Sequence, residues 1–231
     1  MIPRIIHYCW FGEKSFPQKA IKCVESWKKY CPQYEIRCWN ESNFDCNQNS
    51  YLRRTYQNKQ YAFLSDFARL KIIEEHGGIY LDTDVELIKP LDELLVLEAY
   101  YGFETSEFIN TGLGFGAEPH HKTVQEMLKS YDALMDGDEI IGCPRLNTQA
   151  MRDLGMRCDG TLQDVAGARI FPQDYFNPFD DPTGKLQLTN NTYSIHWFAK
   201  NWATKGSVIR GNLTRPIHRI FGKDFFRKNK T

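Results

Sequence analysis

Residues 61–86 read YAFLSDFARLKIIEEHGGIYLDTDVE, and their order decides the architecture. From Lys59 to His76 there is no Pro or Gly and helix formers dominate, so a helix is predicted there. It ends at Gly77-Gly78, where a C-cap takes the positive φ that glycine tolerates. Ile79, Tyr80 and Leu81 are the β-branched, aromatic and aliphatic types of a short buried strand. Asp82 and Asp84 follow, so both carboxylates are expected at the exit of that strand. On the helix, Ala62, Asp66, Arg69 and Ile73 share one face, with Phe63, Phe67 and Leu70 on another nearby. The helix is therefore apolar most of the way round, which leaves Asp66 and Arg69 partly buried. Buried charges need partners. Either these two form a structural ion pair at i, i+3, or they reach a ligand at the mouth of the adjacent strand.

Outward from this stretch, strands and helices alternate without an internal repeat. Ile2 to Trp10 reads as a strand, Pro17 to Tyr30 as a helix, and Tyr34 to Trp39 as a strand with period-2 character. Asn40 to Asn58 is a polar stretch. The order β-α-β-α-β predicts an α/β, Rossmann-like sheet whose ligands bind beyond the carboxyl ends of its strands. Trp10 and the Asp82/Asp84 pair would then share one crevice. Downstream, Phe108 to Ala117 reads as a strand interrupted by glycines, and Glu118 to Asp136 as a helix, with His120-His121 a solvated helix start.

Composition narrows the function classes. At 231 residues, with 42% hydrophobic and 14% aromatic content, the chain can bury one sizeable core, and one domain over 1–231 is expected. Lys and Arg (29) balance Asp and Glu (29), so bulk charge does not point to nucleic acid. No basic n-region with an apolar h-region opens the sequence, and no apolar run approaches the ~20 residues of a bilayer span, so a cytoplasmic location is expected. The seven cysteines show no zinc-ligand spacing and are expected reduced.

The pattern Ser65-Asp66-x-x-Arg69, then Gly77-Gly78-x-Tyr80-x-Asp82-x-Asp84, resembles the signature of glycosyltransferase family 32, the DXD sugar-transferase group. That family includes yeast initiating mannosyltransferases, bacterial capsular polysaccharide transferases and the glucosylating clostridial toxins. Ile2 to Gly12 resembles its first strand and loop, and Ser26-Trp27 with Cys31-Pro32-x-Tyr34-x-Ile36-x-x-Trp39 its following helix end, turn and strand. The segment Tyr193 to Trp202 resembles its late His-x-x-x-x-x-Trp motif.

The resemblance implies a GT-A-type nucleotide-sugar-binding fold with a mixed central sheet flanked by helices. It implies a metal-dependent, retaining transfer of a hexose from a UDP-sugar to a glycan or lipid-linked acceptor, in the setting of surface polysaccharide synthesis. Carboxylates are hard ligands suited to Mn2+ or Mg2+. By resemblance Asp84 ligates the metal directly, and Asp82 contacts the ribose or donor sugar and meets the metal indirectly. Asp66 and Arg69 hold the donor sugar, with Arg69 also near phosphate. Trp10 stacks on the base, or else is a core aromatic. Asn110 lies on the floor of the donor or acceptor pocket, or else is a turn residue. His196 ligates the metal or donates to phosphate, or else is structural, and Trp202 meets the pyrophosphate. Asn147 and Thr148 are acceptor-side candidates, while Gly142-Cys143-Pro144 departs from a Gly-Pro turn of the family, so its neighbours receive no role.

From Arg210 to Lys230 there are seven Lys or Arg against one Asp, interleaved with Ile217, Ile220, Phe221 and Phe225. This basic amphipathic tail, 210–231, is either a peripheral contact with an anionic inner leaflet or a terminal helix packed on the domain. Two other functions share part of the pattern. A non-catalytic carbohydrate-binding protein would not need Asp82, Asp84 and His196. A sugar nucleotidyltransferase would carry a Gly-rich basic loop where this chain has Trp10-Phe11-Gly12-Glu13-Lys14-Ser15.

Overall fold

The computed structural model describes residues 1–12, 15–199 and Arg215. The helix and strand of the deciding stretch are present. Helix α3 spans Tyr61–His76 and strand β3 Gly78–Tyr80. The helix begins two residues later than expected because Lys59 turns into the left-handed region, with φ of 56°. It ends at Gly77, whose φ is 62° and whose N–H donates to the Ile73 carbonyl. Around it, β1 (Ile5–Cys9), α1 (Gln18–Tyr30) and β2 (Glu35–Trp39) follow the expected order with trimmed ends.

The stretch 40–58 holds a helix that the sequence reading missed, α2 (Ser50–Gln57). Asn49 caps it by accepting from the Leu52 N–H at 2.8 Å, and Tyr51, Leu52 and Thr55 form its buried face. The remaining elements are β4 (Val85–Leu87), β5 (Ala99–Gly102), β6 (Phe115–Ala117), α4 (Lys122–Lys129), α5 (Cys143–Asp153), β7 (Gln163–Val165), β8 (Ala168–Phe171), β9 (Phe179–Asp180), β10 (Lys185–Leu186) and β11 (Ser194–His196). The glycine-interrupted segment is more broken than expected. Ile109 bridges Phe103, Thr111–Leu113 form a 3-10 turn, and only Phe115–Ala117 is strand. The helix expected over 118–136 shrinks to α4 and a 3-10 turn, Asp132–Leu134. Its start is only half solvated, since His120 is exposed but His121 turns inward and caps the helix through the Thr123 N–H.

Seven strands form one mixed sheet in the order β2-β1-β3-β6-β5-β8-β7. Strands β1, β2 and β3 are parallel, β6 runs against both β3 and β5, and β8 is parallel to β5. Hence β1, β3 and β5 all end on one edge, where β6 begins. Moving from β1 to β2 and then back across β1 to β3 places a topological switch point between β1 and β3. Alternation across the pleat divides the core: Ile79 packs with Ile6 and Trp27 on one side of the sheet, and Tyr80 with Leu64, Phe67 and Ile73 on the other. Helix α3 touches α2, α4, α5, β1 and β3, which explains why it is apolar nearly all round. A separate antiparallel pair, β4 with β11, sets His196 opposite Val85.

Candidate functional site

A cavity of about 600 Å³ opens on the edge where β1, β3 and β5 end, a size suited to a small-molecule ligand. The exit of β1 contributes Trp10, Phe11 and Gly12; α3 contributes Tyr61, Ala62, Phe63, Ser65, Asp66 and Arg69. Asp82, Thr83 and Asp84 enter from the exit of β3, and Cys9, Lys59, Glu104, Asn110, Cys143, His196 and Phe198 complete the wall. Trp10 thus lines the cavity rather than the core, with Phe16 edge-on at 4.9 Å.

The two readings of Asp66 and Arg69 merge. Arg69 Nη2 lies 3.0 Å from Asp66 Oδ1 and 3.1 Å from Asp82 Oδ1, so one buried guanidinium joins the helix pair to the strand-exit carboxylate. Its Nε donates to the Ser65 carbonyl at 3.2 Å, and the face of Tyr80 covers it at 4.8 Å. Burial works against the Arg69 charge, but Asp82, Tyr80 and Asp66 outweigh it and hold the group protonated. The Tyr80 hydroxyl donates to Asp82 Oδ1 at 3.0 Å. Gly112 makes room for this packing, since a Cβ there would sit 2.5 Å from Asp82 Oδ2 and 3.0 Å from Arg69 Nη1.

Asp84 is held differently. His196 Nε2 lies 3.2 Å from its Oδ1, and the Ala199 N–H donates to Oδ2 at 2.7 Å. The chain reaches Ala199 through Phe198, whose φ of 49° is strained for a residue with a side chain. Burial would raise Asp84, yet the His196 charge and hydrogen bond and the Ala199 amide hold it below the ordinary carboxylate range. Burial opposes the imidazolium as well, but Asp84, Asp82 and Glu104 together lift His196 above its ordinary value. Asp82 is pushed up to about 6, first by burial and then by Asp84, against the pull of Arg69.

One ligand atom each from Asp82, Asp84 and His196 lie within 4.8 Å of one another. Two carboxylate oxygens and an imidazole nitrogen suit Mn2+ or Mg2+. Nδ1 of His196 is buried and has no hydrogen-bond partner, so the ring retains a free nitrogen when Nε2 faces Asp84. The residues present fit a divalent cation.

Asn110 is both a turn residue and a pocket residue. Its Oδ1 accepts from the Gly112 N–H at 2.7 Å, which caps the 3-10 turn, and receives the Cys143 thiol at 3.5 Å. Asn147 and Thr148 are structural instead. Asn147 donates to Thr111 Oγ1 at 3.0 Å and Thr148 accepts from the Ile109 N–H at 3.0 Å, both away from the cavity wall. Trp202 and most of the tail 210–231 lie outside the described residues; Arg215 pairs with Asp181 at 2.8 Å.

The sequence reading missed Cys143 and Glu104. Cys143 opens α5 and its N–H donates to Asp66 Oδ2 at 3.3 Å, a contact between residues 77 apart that no local pattern announces. Glu104 was open to the reasoning that found Asp82, since it follows the buried strand Ala99–Gly102 almost directly.

Residues 17–101 match the family model described as glycosyltransferase sugar-binding region containing DXD motif. The chain is 32% identical over 139 residues to "Uncharacterized glycosyltransferase L373" of Acanthamoeba polyphaga mimivirus, covering 56% of this chain and 55% of that one. It is 39% identical over 118 residues to an alpha-1,4-N-acetylglucosaminyltransferase of Homo sapiens, covering 49% of this chain and 32% of that one. The matches therefore span from about a third to just over half of these relatives' length. Among solved structures the chain is similar to the PaToxG glycosyltransferase, with a TM-score of 0.55 and 18% identity over 66% of this chain and 68% of that one. The fold is the GT-A type, as expected from the sequence. Among the described residues no helix is long and apolar enough to cross a membrane.

Proposed function

We propose that this chain, whose residues 17–101 form a DXD-type glycosyltransferase sugar-binding region, transfers a hexose from a UDP-sugar to a hydroxyl of a glycan or lipid-linked acceptor. The observation that carries this reading is the Asp82, Asp84 and His196 cluster, set in the wall of the cavity beside the Arg69 guanidinium. Trp10, at the β1 end, offers an aromatic face to the base. Arg69 meets the diphosphate with permanent charge, while Asp66 and Asp82 accept from sugar hydroxyls. Asp84, His196 and Asp82 would hold Mn2+ or Mg2+, which supplies Lewis-acid stabilisation of the diphosphate as it leaves. The walls position the two substrates and exclude water.

Retention at the anomeric carbon belongs to the same proposal. The human relative is named for an α-linked product, and an α-linked nucleotide sugar yields that product with its configuration kept. A single domain over 1–231, a cytoplasmic location, a role in surface polysaccharide synthesis and membrane contact through 210–231 rest on the sequence alone and complete the proposal.

The test is calorimetric binding of UDP- and GDP-hexoses, each with Mn2+ and with chelator. Metal-dependent binding of one UDP-hexose is expected. Binding of no nucleotide under either condition would overturn the reading and favour a glycan-binding protein.

A further inference from the structure

Glu104 is the one pocket carboxylate without a role in the reading above. Its backbone is fixed at both ends: the N–H donates to the Phe108 carbonyl at 2.8 Å, and its own carbonyl accepts from Asn177 Nδ2 at 3.0 Å. The preceding Phe103 is fully buried and bridges Ile109, so alternation turns Glu104 to the opposite side, where it lines the cavity. Asn110 lines the same cavity. Asn110 Oδ1 already accepts from Gly112 and Cys143, which leaves the amide NH2 to bond the Glu104 carboxylate. Burial raises the Glu104 carboxyl above its ordinary value; the His196 charge and the Asn110 hydrogen bond oppose this, and neither is an Arg or Lys partner. The group is thus a half-buried acceptor short of charged donors, which neutral hydroxyls would satisfy.

Sheet order says where along the ligand this acceptor sits. Trp10 follows β1, the metal cluster follows β3, and Glu104 follows β5, with β6 between β3 and β5. Three strand spacings separate β1 from β5, about 14 Å in all, the scale of an extended nucleoside diphosphate sugar. With the base at Trp10 and the diphosphate at the Asp84 and His196 end of the cluster, the hexose falls between Asp82 and Glu104.

We infer that Glu104, held by Asn110, recognises hydroxyls of the transferred hexose and so sets which sugar the site accepts. This rests on the transferase reading. Asn110 then acts as the positioning residue for Glu104.

The experiment compares the unaltered chain with Glu104→Gln and Glu104→Ala by calorimetry, in Mn2+, using UDP and then UDP-glucose, UDP-galactose and UDP-N-acetylglucosamine. If the unaltered chain prefers another nucleoside diphosphate, that nucleotide and its hexose esters are used. UDP affinity is expected to stay within about twofold, which also reports an intact fold. The gain in affinity that the hexose adds over UDP should fall about 10- to 100-fold in Glu104→Ala, and Glu104→Gln should reorder the three sugars. Equal weakening toward UDP and UDP-hexoses would overturn the inference by placing Glu104 on the diphosphate. Unchanged hexose affinity and order would overturn it by placing Glu104 outside the sugar site. Absence of nucleotide binding by the unaltered chain would overturn the transferase reading instead, and is seen before any variant is made.

Discussion

Arg69 and His196 each face a carboxylate of this site, and they are built differently. Arg69 rises from the middle of α3, 3% exposed, and is shared by Asp66 and Asp82. His196 comes from a strand of three residues paired, among the described residues, only with β4, and faces Asp84 through one nitrogen. A guanidinium is charged at any working pH and its fork is rigid, so the Arg69 end is a fixed part of the fold. An imidazole can be a cation or a neutral ligand, so the Asp84 end can take a metal ion in place of a proton. Fixed charge thus sits where the helix and sheet must be joined, and exchangeable charge where the proposed metal would bind.

The largest expected effect tests the fixed end. Arg69→Met would leave the buried Asp66 and the half-buried Asp82 without their shared partner, and removing one side of a buried pair costs about 3–5 kcal/mol. Urea unfolding should show that loss, a large share of the stability of a domain of this size. An unfolding midpoint within error of the unaltered chain would break the comparison, because Arg69 would then be a ligand group alone. At the exchangeable end, Asp84→Asn should leave the midpoint nearly in place while lowering transfer on the order of 10³-fold. Mn2+ titration followed by paramagnetic relaxation of water would check it; retention of tight Mn2+ binding would remove Asp84 from the metal site.

The two ends also differ in how far they could be read from sequence. Gly77-Gly78, the buried Ile79-Tyr80-Leu81 and the following acids are local signals, and α3, β3 and the Arg69 end came directly from them. His196 has no such local sign. Its place depends on β11 pairing with β4 across more than a hundred residues, and only the family resemblance pointed there. Helix α2 was missed because polar composition masked the spacing of Tyr51, Leu52 and Thr55 behind the Asn49 cap. The helix expected over 118–136 was too long because His120 takes φ of 59° just before α4, which no propensity scale registers. Cys143 reaches Asp66 only once α5 docks beside α3, a purely tertiary event.

A smaller perturbation sharpens the contrast without removing a charge. Gly112 backs Asp82 and Arg69 but makes no contact with the Asp84 end that would be lost. In Gly112→Ala the new methyl would meet Asp82 Oδ2 at 2.5 Å, so Asp82 must shift. Overpacking of this kind costs about 1–3 kcal/mol. Donor binding should weaken in proportion, while Mn2+ affinity carried mainly by Asp84 changes less. Equal losses of both would mean that the two ends are one rigid unit.

The smallest effect belongs to a charge that the fold excludes altogether. His7 lies on β1, fully buried, with the Trp39 Nε1–H donating to its Nδ1 at 3.0 Å and its Nε2 at 3.0 Å from the Gly77 carbonyl. That pairing fixes the neutral tautomer with the proton on Nε2. Burial, with help from the Arg37 charge, lowers its pKa from 6.5 to about 3, against the Gly77 hydrogen bond. The unfolded chain therefore binds a proton that the folded chain refuses, and stability present above about pH 6.5 is lost as pH falls toward 3. The loss should be about 0.7 kcal/mol between pH 7 and 6, growing toward about 1.4 kcal/mol per unit below that. His7→Gln keeps a donor for Gly77 and cannot titrate, so the difference in unfolding free energy between it and the unaltered chain should shrink across this range as the pH falls. A difference that stays constant with pH would mean that His7 takes up its proton as readily in the fold as in the unfolded chain. A difference that grows as pH falls would mean instead that α3, which ends at the Gly77 carbonyl His7 bonds, is tied to β1 by a charge, like the Arg69 junction at its other face.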